Sequence, residues 1–169
     1  MRDLNHYAKI CLAEVDRLKI PRAKSIGFSV NTRAKTRLGL CRKQGDRYEI
    51  EIASSLLDES KPLEGELKNT LIHEILHTCR GCMKHTGRWK QYADRVNAAL
   101  GYNIKRTAGR DEGALSEVIP KPRYRVVCPH CGAVYERYKA SEFIKHPERY
   151  RCGKCKKPLA AMNQASPQS

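Results

Sequence analysis

Leu4, Ala8, Cys11, Leu12, Val15 and Leu18 recur every three or four positions and stop before Ile20-Pro21, which predicts an amphipathic first helix. The period then changes. Ile26, Phe28 and Val30, then Leu38 and Leu40, then Tyr48, Ile50 and Ile52 alternate with polar or small residues, the pattern of three short strands with one buried face. Gln44-Gly45-Asp46 supplies turn chemistry between the last two, so a hairpin is expected there. Helical spacing returns after Pro62, a residue suited to a first helical turn. Leu63, Leu67, Leu71, Ile72, Ile75 and Leu76 form one broad stripe running to Cys79 or Arg80, with Gly81 as its cap. Thr86 can cap a third helix, on which Trp89, Ala93, Val96 and Leu100 share a face before Gly101 ends it. Residues 1–101 therefore read as one α+β unit of three helices and a small antiparallel sheet.

Beyond that unit the pattern fades. Residues 102–123 carry Arg, Lys, Gly and Pro without periodicity, the composition of a linker or a surface loop. Residues 124–157 contain Cys128-Pro129-His130-Cys131 and Cys152-Gly153-Lys154-Cys155. Four thiolates in two such pairs close a tetrahedral structural zinc site with no position left for chemistry, so this segment reads as a zinc ribbon. A module this small buries too little apolar surface to fold alone, and the ion contributes folding energy. The uncharged residues 158–169 read as a disordered tail.

Composition sharpens this picture in two respects. Eight cysteines would suit a secreted disulfide scaffold, but Met1 to His6 carries an acid and amphipathic spacing where an export signal needs an apolar core. Metal binding in a reducing, cytoplasmic compartment is expected instead. Apolar runs are too short for a membrane span. The second respect is charge: 33 Lys and Arg against 18 Asp and Glu give +15, which attracts polyanions. Between Lys121 and Lys157 stand 11 basic and 3 acidic residues, so more than half of the excess lies in that segment. Tyr124, Tyr135, Tyr138 and Tyr150 are interleaved there with Arg123, Arg125, Arg137, Lys139, Arg149 and Arg151. Together with Lys154, Lys156 and Lys157, these basic residues are the candidates for phosphate contact, and the rings could stack on unpaired bases. A solvated charged surface with its tyrosines in the ribbon core is the plainer alternative.

The second helix carries His73-Glu74-Ile75-Leu76-His77. Histidines four apart share a helix face, so both imidazoles can reach one ion, while Glu74 stands beside it and can take a proton from a water that the metal acidifies. This is the H-E-x-x-H arrangement of zinc peptidases. A catalytic zinc needs a third protein ligand, for which Cys79, Cys82, His85 and later acids compete. His85 is preferred, because the chain can turn back after Gly81 and Trp89 can wedge the imidazole against the core. Cys79 and Cys82 read as a redox pair, an extra metal clamp or, by default, small side chains packing a tight loop, and Cys11 and Cys41 as core hydrophobes.

With His85-Thr86-Gly87-Arg88-Trp89-Lys90 following His73-Glu74-x-x-His77, the chain resembles the SprT-like metalloprotease family, which includes the Spartan proteases of DNA–protein crosslinks. Leu38-Gly39-Leu40-Cys41 and Tyr48-Glu49-Ile50-Glu51-Ile52 resemble the strands before that family's catalytic helix. The family places a glycine directly after its third histidine, where this chain has Thr86. The resemblance implies a minimal zincin-like catalytic core, zinc on His73, His77 and His85, Glu74 as general base, and proteolysis of proteins near DNA. Two zinc ions per chain, DNA as a partner (single strands among its forms), DNA-bound protein substrates and a monomer in the cytoplasm, at the nucleoid or in a nucleus are then expected. The competing readings are a non-catalytic nucleic-acid-binding regulator and a metallopeptidase that acts on one regulatory protein.

Overall fold

In the computed structural model, which describes residues 1–106 and 121–160, the chain divides into two units, Met1–Pro120 and Lys121–Ser169. Among the described residues no helix is long and apolar enough to cross a membrane.

The first unit runs α1 (Leu4–Arg17), β1 (Ile26–Asn31), β2 (Gly39–Gln44), β3 (Arg47–Ala53), a 3₁₀ turn (Ser54–Leu57), α2 (Glu64–His77) and α3 (Arg88–Leu100). Asp3 caps α1 by accepting from the Asn5 N–H at 2.9 Å, and Leu4, Ala8, Cys11 and Val15 form its buried stripe. β2 and β3 are the expected hairpin, antiparallel, with Cys41 opposite Ile50 and a turn at Gly45, whose φ is +59°. The sheet as a whole is mixed rather than antiparallel: its order is β1-β3-β2, and β1 runs parallel to β3. Alternation specifies strands but not their direction. Ile50 and Ile52 of the central strand are fully buried, as are Leu67, Leu71, Ile72, Ile75 and Leu76 of α2, so the helix that carries the histidines sits in the core of its unit.

Helix boundaries differ from expectation at two places that matter for the site. α2 ends at His77 because the Thr78 hydroxyl donates to the Ile75 carbonyl at 2.7 Å and also accepts the Ala23 N–H at 3.2 Å, which ties the turn to the segment before β1. α3 begins at Arg88 with Gly87 (φ +52°) as its N-cap, and the Thr86 side chain makes no capping bond. Gly101 ends α3 in the left-handed conformation, as its position suggested.

Of the two readings of the segment from 102, a linker or a surface loop, its first residues fit the loop. Tyr102 bonds Glu14 of α1, the Asn103 N–H donates to Asn69 at 3.0 Å, and Ile104 exchanges two bonds with the Asn97 side chain. Residues 102–105 therefore strap back over α2 and α3; the part of the linker reading over 107–120 lies outside the described residues.

The second unit pairs β4 (Tyr124–Val127) with β5 (Val134–Arg137) in an antiparallel hairpin, followed by the single-turn α4 (Glu142–Lys145) and a 3₁₀ turn (Pro147–Arg149). Its small core contains Val126, Ile144 and Leu159 around the cysteines. The disordered tail expected over 158–169 does not hold for its first residues: Pro158 bridges Arg151, and Leu159 is 2% exposed with its N–H on the Tyr150 carbonyl. Leu159 is the first large apolar residue after the last cysteine, and a core this small recruits it. Residues 161–169 lie outside the described residues.

Candidate metal centre and active site

α2 presents His73 and His77 one turn apart, and the loop from Thr78 to Gly87 returns His85 to them. The three Nε2 atoms form a triangle with edges of 2.8, 3.0 and 3.3 Å. His77 Nδ1–H donates to the Cys82 carbonyl at 2.7 Å and His73 Nδ1–H to the Lys105 carbonyl at 3.1 Å. Each of these bonds fixes the tautomer that leaves an Nε2 lone pair facing inward. Burial, then the neighbouring His77 and His85, holds His73 down to about 4. Burial likewise holds His77 and His85 below the usual range, with Arg106 adding to the effect on His85. All three imidazoles are thus neutral at neutral pH. Converging lone pairs repel unless a cation lies among them, and ligands of a tetrahedral zinc stand about 3.3 Å apart. The donor set fits zinc, and among the described residues it leaves one tetrahedral position without a protein ligand.

Trp89 of α3 is 2% exposed and contacts all three imidazoles, with centroid distances of 4.8 Å to His73, 5.6 Å to His77 and 4.7 Å to His85. It is the wedge that the spacing from His85 suggested, and it serves the whole triad.

Glu74 is 7% exposed and lies against β2, an edge strand of the sheet. Burial pushes its carboxyl up to about 7, while the Cys41 backbone N–H and the Arg37 guanidinium pull the other way. That places its proton affinity where a general base works. Gly39 makes the approach possible: a Cβ there would stand 2.7 Å from Glu74 Oε1 and 2.7 Å from Thr70 Cγ2.

The family model for the SprT-like family matches residues 6–108, more than half of the chain. The chain belongs to the SprT-like family. No curated protein shows significant similarity to it. The SprT-like match extends past α3 over the strap, whose Lys105 carbonyl holds His73. The family suggests a zinc metalloprotease-like domain, and the ribbon lies beyond the matched segment.

In that ribbon, Cys128, Cys131, Cys152 and Cys155 bring their sulfurs within 4.8 Å of one another, with 3.7 Å between Cys128 and Cys155 and 3.5 Å between Cys131 and Cys152. Tetrahedral thiolates on zinc stand about 3.8 Å apart, so this set fits zinc too. Each pair closes a matching turn. Gly132 (φ +69°) donates to the Cys128 carbonyl at 3.0 Å and Lys156 (φ +62°) to the Cys152 carbonyl at 2.9 Å. The Cys155 N–H, then the Tyr135 hydroxyl, hold the Cys152 thiol down to about 5, the thiolate form a ligand needs.

The nine basic candidates Arg123, Arg125, Arg137, Lys139, Arg149, Arg151, Lys154, Lys156 and Lys157 are all exposed. The tyrosines divide. Tyr124 and Tyr135 pack against the ribbon core, and Tyr150 is 40% exposed. Arg137 lies 4.9 Å over the Phe143 ring. Cys82, the rival third ligand, is buried and offers its carbonyl to His77 rather than its sulfur to the cluster. Sequence reasoning missed Gly39, Arg37 and the Cys82 and Lys105 carbonyls. A glycine between Leu38 and Leu40 of a strand pattern hints at close approach, whereas a backbone carbonyl leaves no mark in the residue type.

Proposed function

We propose that the chain is a zinc-dependent endopeptidase that acts on DNA-associated proteins, crosslinked ones included, with the ribbon holding the nucleic acid. The observation that carries the hydrolytic part is the triangle of inward-facing imidazole nitrogens, two of them on α2, which also carries the buried carboxylate of Glu74 next to His73 in sequence. A structural site closes its fourth position with a protein ligand and has no use for a base there. His73, His77 and His85 would hold the zinc. When bound, the ion acidifies a water and polarises the scissile carbonyl.

Glu74 accepts the proton of the attacking water and delivers it to the leaving amine, which needs a carboxylate that is ionised at first and protonated midway; a pKa near neutrality allows both. The Cys41 N–H fixes that carboxylate against β2. Trp89 and the two carbonyl bonds keep the imidazoles from turning outward.

The DNA part rests on the family and on charge: nine exposed basic side chains around four cysteines that could hold a zinc suit phosphate contact. The chain would work as a monomer with two zinc ions, in the cytoplasm, at the nucleoid, or in a nucleus in a eukaryote. The direct test is hydrolysis of an unfolded protein by the zinc-loaded chain, by the chelated chain and by the chelated chain given zinc again. Cleavage should disappear on chelation and return with zinc. Cleavage that persists through chelation would refute the assignment.

A further inference from the structure

Away from the histidine triad, the loop after α2 has a second face. There Arg80, Gly81 and Met83 join Pro21, Lys43 and Tyr48 around an open cleft of about 320 Å³, within the range of small-ligand sites. The cleft floor is fixed, because Thr78 ties the Ala23 N–H to the end of α2. Arg22 in its wall is neutralised by a two-point bond to Asp16, at 2.9 and 2.7 Å. Lys43 and Arg80 are different: both are exposed, and among the described residues neither has an acidic partner. No acid lines the cleft.

Two apolar side chains share the lining. The Tyr48 ring has Lys43 Nζ 5.9 Å from its centroid, and Met83 is 49% exposed although it follows a buried cysteine pair. Two uncompensated cations beside an accessible aromatic ring match a ligand that is anionic at one end and planar at the other. An acidic peptide would satisfy the cations and leave the ring unused.

We infer that this cleft on the protease unit binds one nucleotide of a single-stranded nucleic acid, with phosphates on Lys43 and Arg80 and a base on Tyr48. The inference rests on the reading that the chain works on nucleic acid and adds a contact site separate from the ribbon. Its placement has a consequence for the active site. The loop that lines the cleft also supplies the Cys82 carbonyl to His77 and carries His85. A strand seated there lies one loop away from the metal ligands.

The test uses the full zinc-loaded chain and an oligothymidine carrying 5-iodouracil, photocrosslinked and mapped by peptide mass spectrometry, alongside a salt titration of binding. The parent should crosslink at Tyr48. In Lys43→Glu/Arg80→Glu the Tyr48 adduct should vanish, and the log–log salt slope should fall by about 1.4 for two single-strand phosphate contacts, with zinc content unchanged. Adducts confined to residues 121–160 with an unchanged slope would overturn the cleft and leave the ribbon reading intact. Absence of oligonucleotide binding altogether would overturn both. Suppression of Tyr48 adduct formation by an acidic peptide added before irradiation, but not by excess unlabelled oligothymidine, would give the cleft to a protein ligand instead.

Discussion

Glu74 is held against β2 on the helix that carries His73 and His77, and the atoms that hold it decide what single substitutions should do. Glu74→Gln keeps the shape and the Cys41 N–H contact but cannot accept a proton. Peptide hydrolysis should fall by about 10²-fold or more while zinc content and unfolding temperature stay at parent values. Gly39→Ala should act on the same group from the other side. A Cβ 2.7 Å from Glu74 Oε1 must displace the carboxylate or the strand, and overpacking of this kind costs about 1–3 kcal/mol. Expected is a lower unfolding temperature and a fall in kcat on the order of 10²-fold, with zinc retained. Unchanged kcat in Gly39→Ala would mean that Glu74 does not need its seat on β2. The convergence of His73 and His77 was legible in the sequence because helical spacing puts them on one face, and that of His85 because Trp89 follows it at one turn. The Cys82 and Lys105 carbonyls were not, since every residue has one and only the folded loop selects which is used.

At the level of elements, helices and the hairpin follow from local patterning and turn residues, and they were readable to within a few positions. The parallel pairing of β1 with β3 and the strap from Tyr102 to Lys105 depend on contacts far apart in sequence, which alternation and composition do not encode. Leu159 shows the same limit, because an isolated leucine in an uncharged stretch reads as tail until a core lacking apolar mass claims it. Leu159→Ala should destabilise the ribbon by about 2–5 kcal/mol, seen as a lower chelator concentration for loss of the zinc held by the four ribbon cysteines.

The α2 face carries a pH dependence of its own. In the chelated protein, His73 titrates near 4 when folded, against an ordinary value of 6.5. The unfolded chain therefore binds more protons than the folded one across that interval, and stability rises with pH there. The metal-free unit should be at full stability above about 6.5 and lose it as pH falls toward 4, with His77 and His85 contributing in the same direction. Urea midpoints of the chelated chain at pH 7.5 and pH 5, about one unit above and midway through the window, check this. Equal midpoints would mean that the imidazoles are not buried as described.

For the whole molecule, two donor sets of different chemistry predict two zinc equivalents per chain by elemental analysis. Cys128→Ser should remove one and His85→Ala should lower the other. Charge is denser in the second unit, with +8 between Lys121 and Lys157 against +7 over residues 1–120. Removing the ribbon should therefore cost most of the affinity for single-stranded DNA and flatten its salt dependence, leaving the residual that the Lys43–Arg80 cleft accounts for. The claim that joins both units is that a zinc peptidase is brought to its substrate by nucleic acid. The measurement that reaches it most directly is cleavage of one protein presented free and covalently attached to single-stranded DNA, by the zinc-loaded full chain and by Glu74→Gln. The parent should cut the attached form faster than the free form, high salt should remove the difference, and Glu74→Gln should cut both forms more slowly, by about 10²-fold or more. Equal cleavage of both forms, or cleavage by Glu74→Gln at the parent's rate, would overturn the claim.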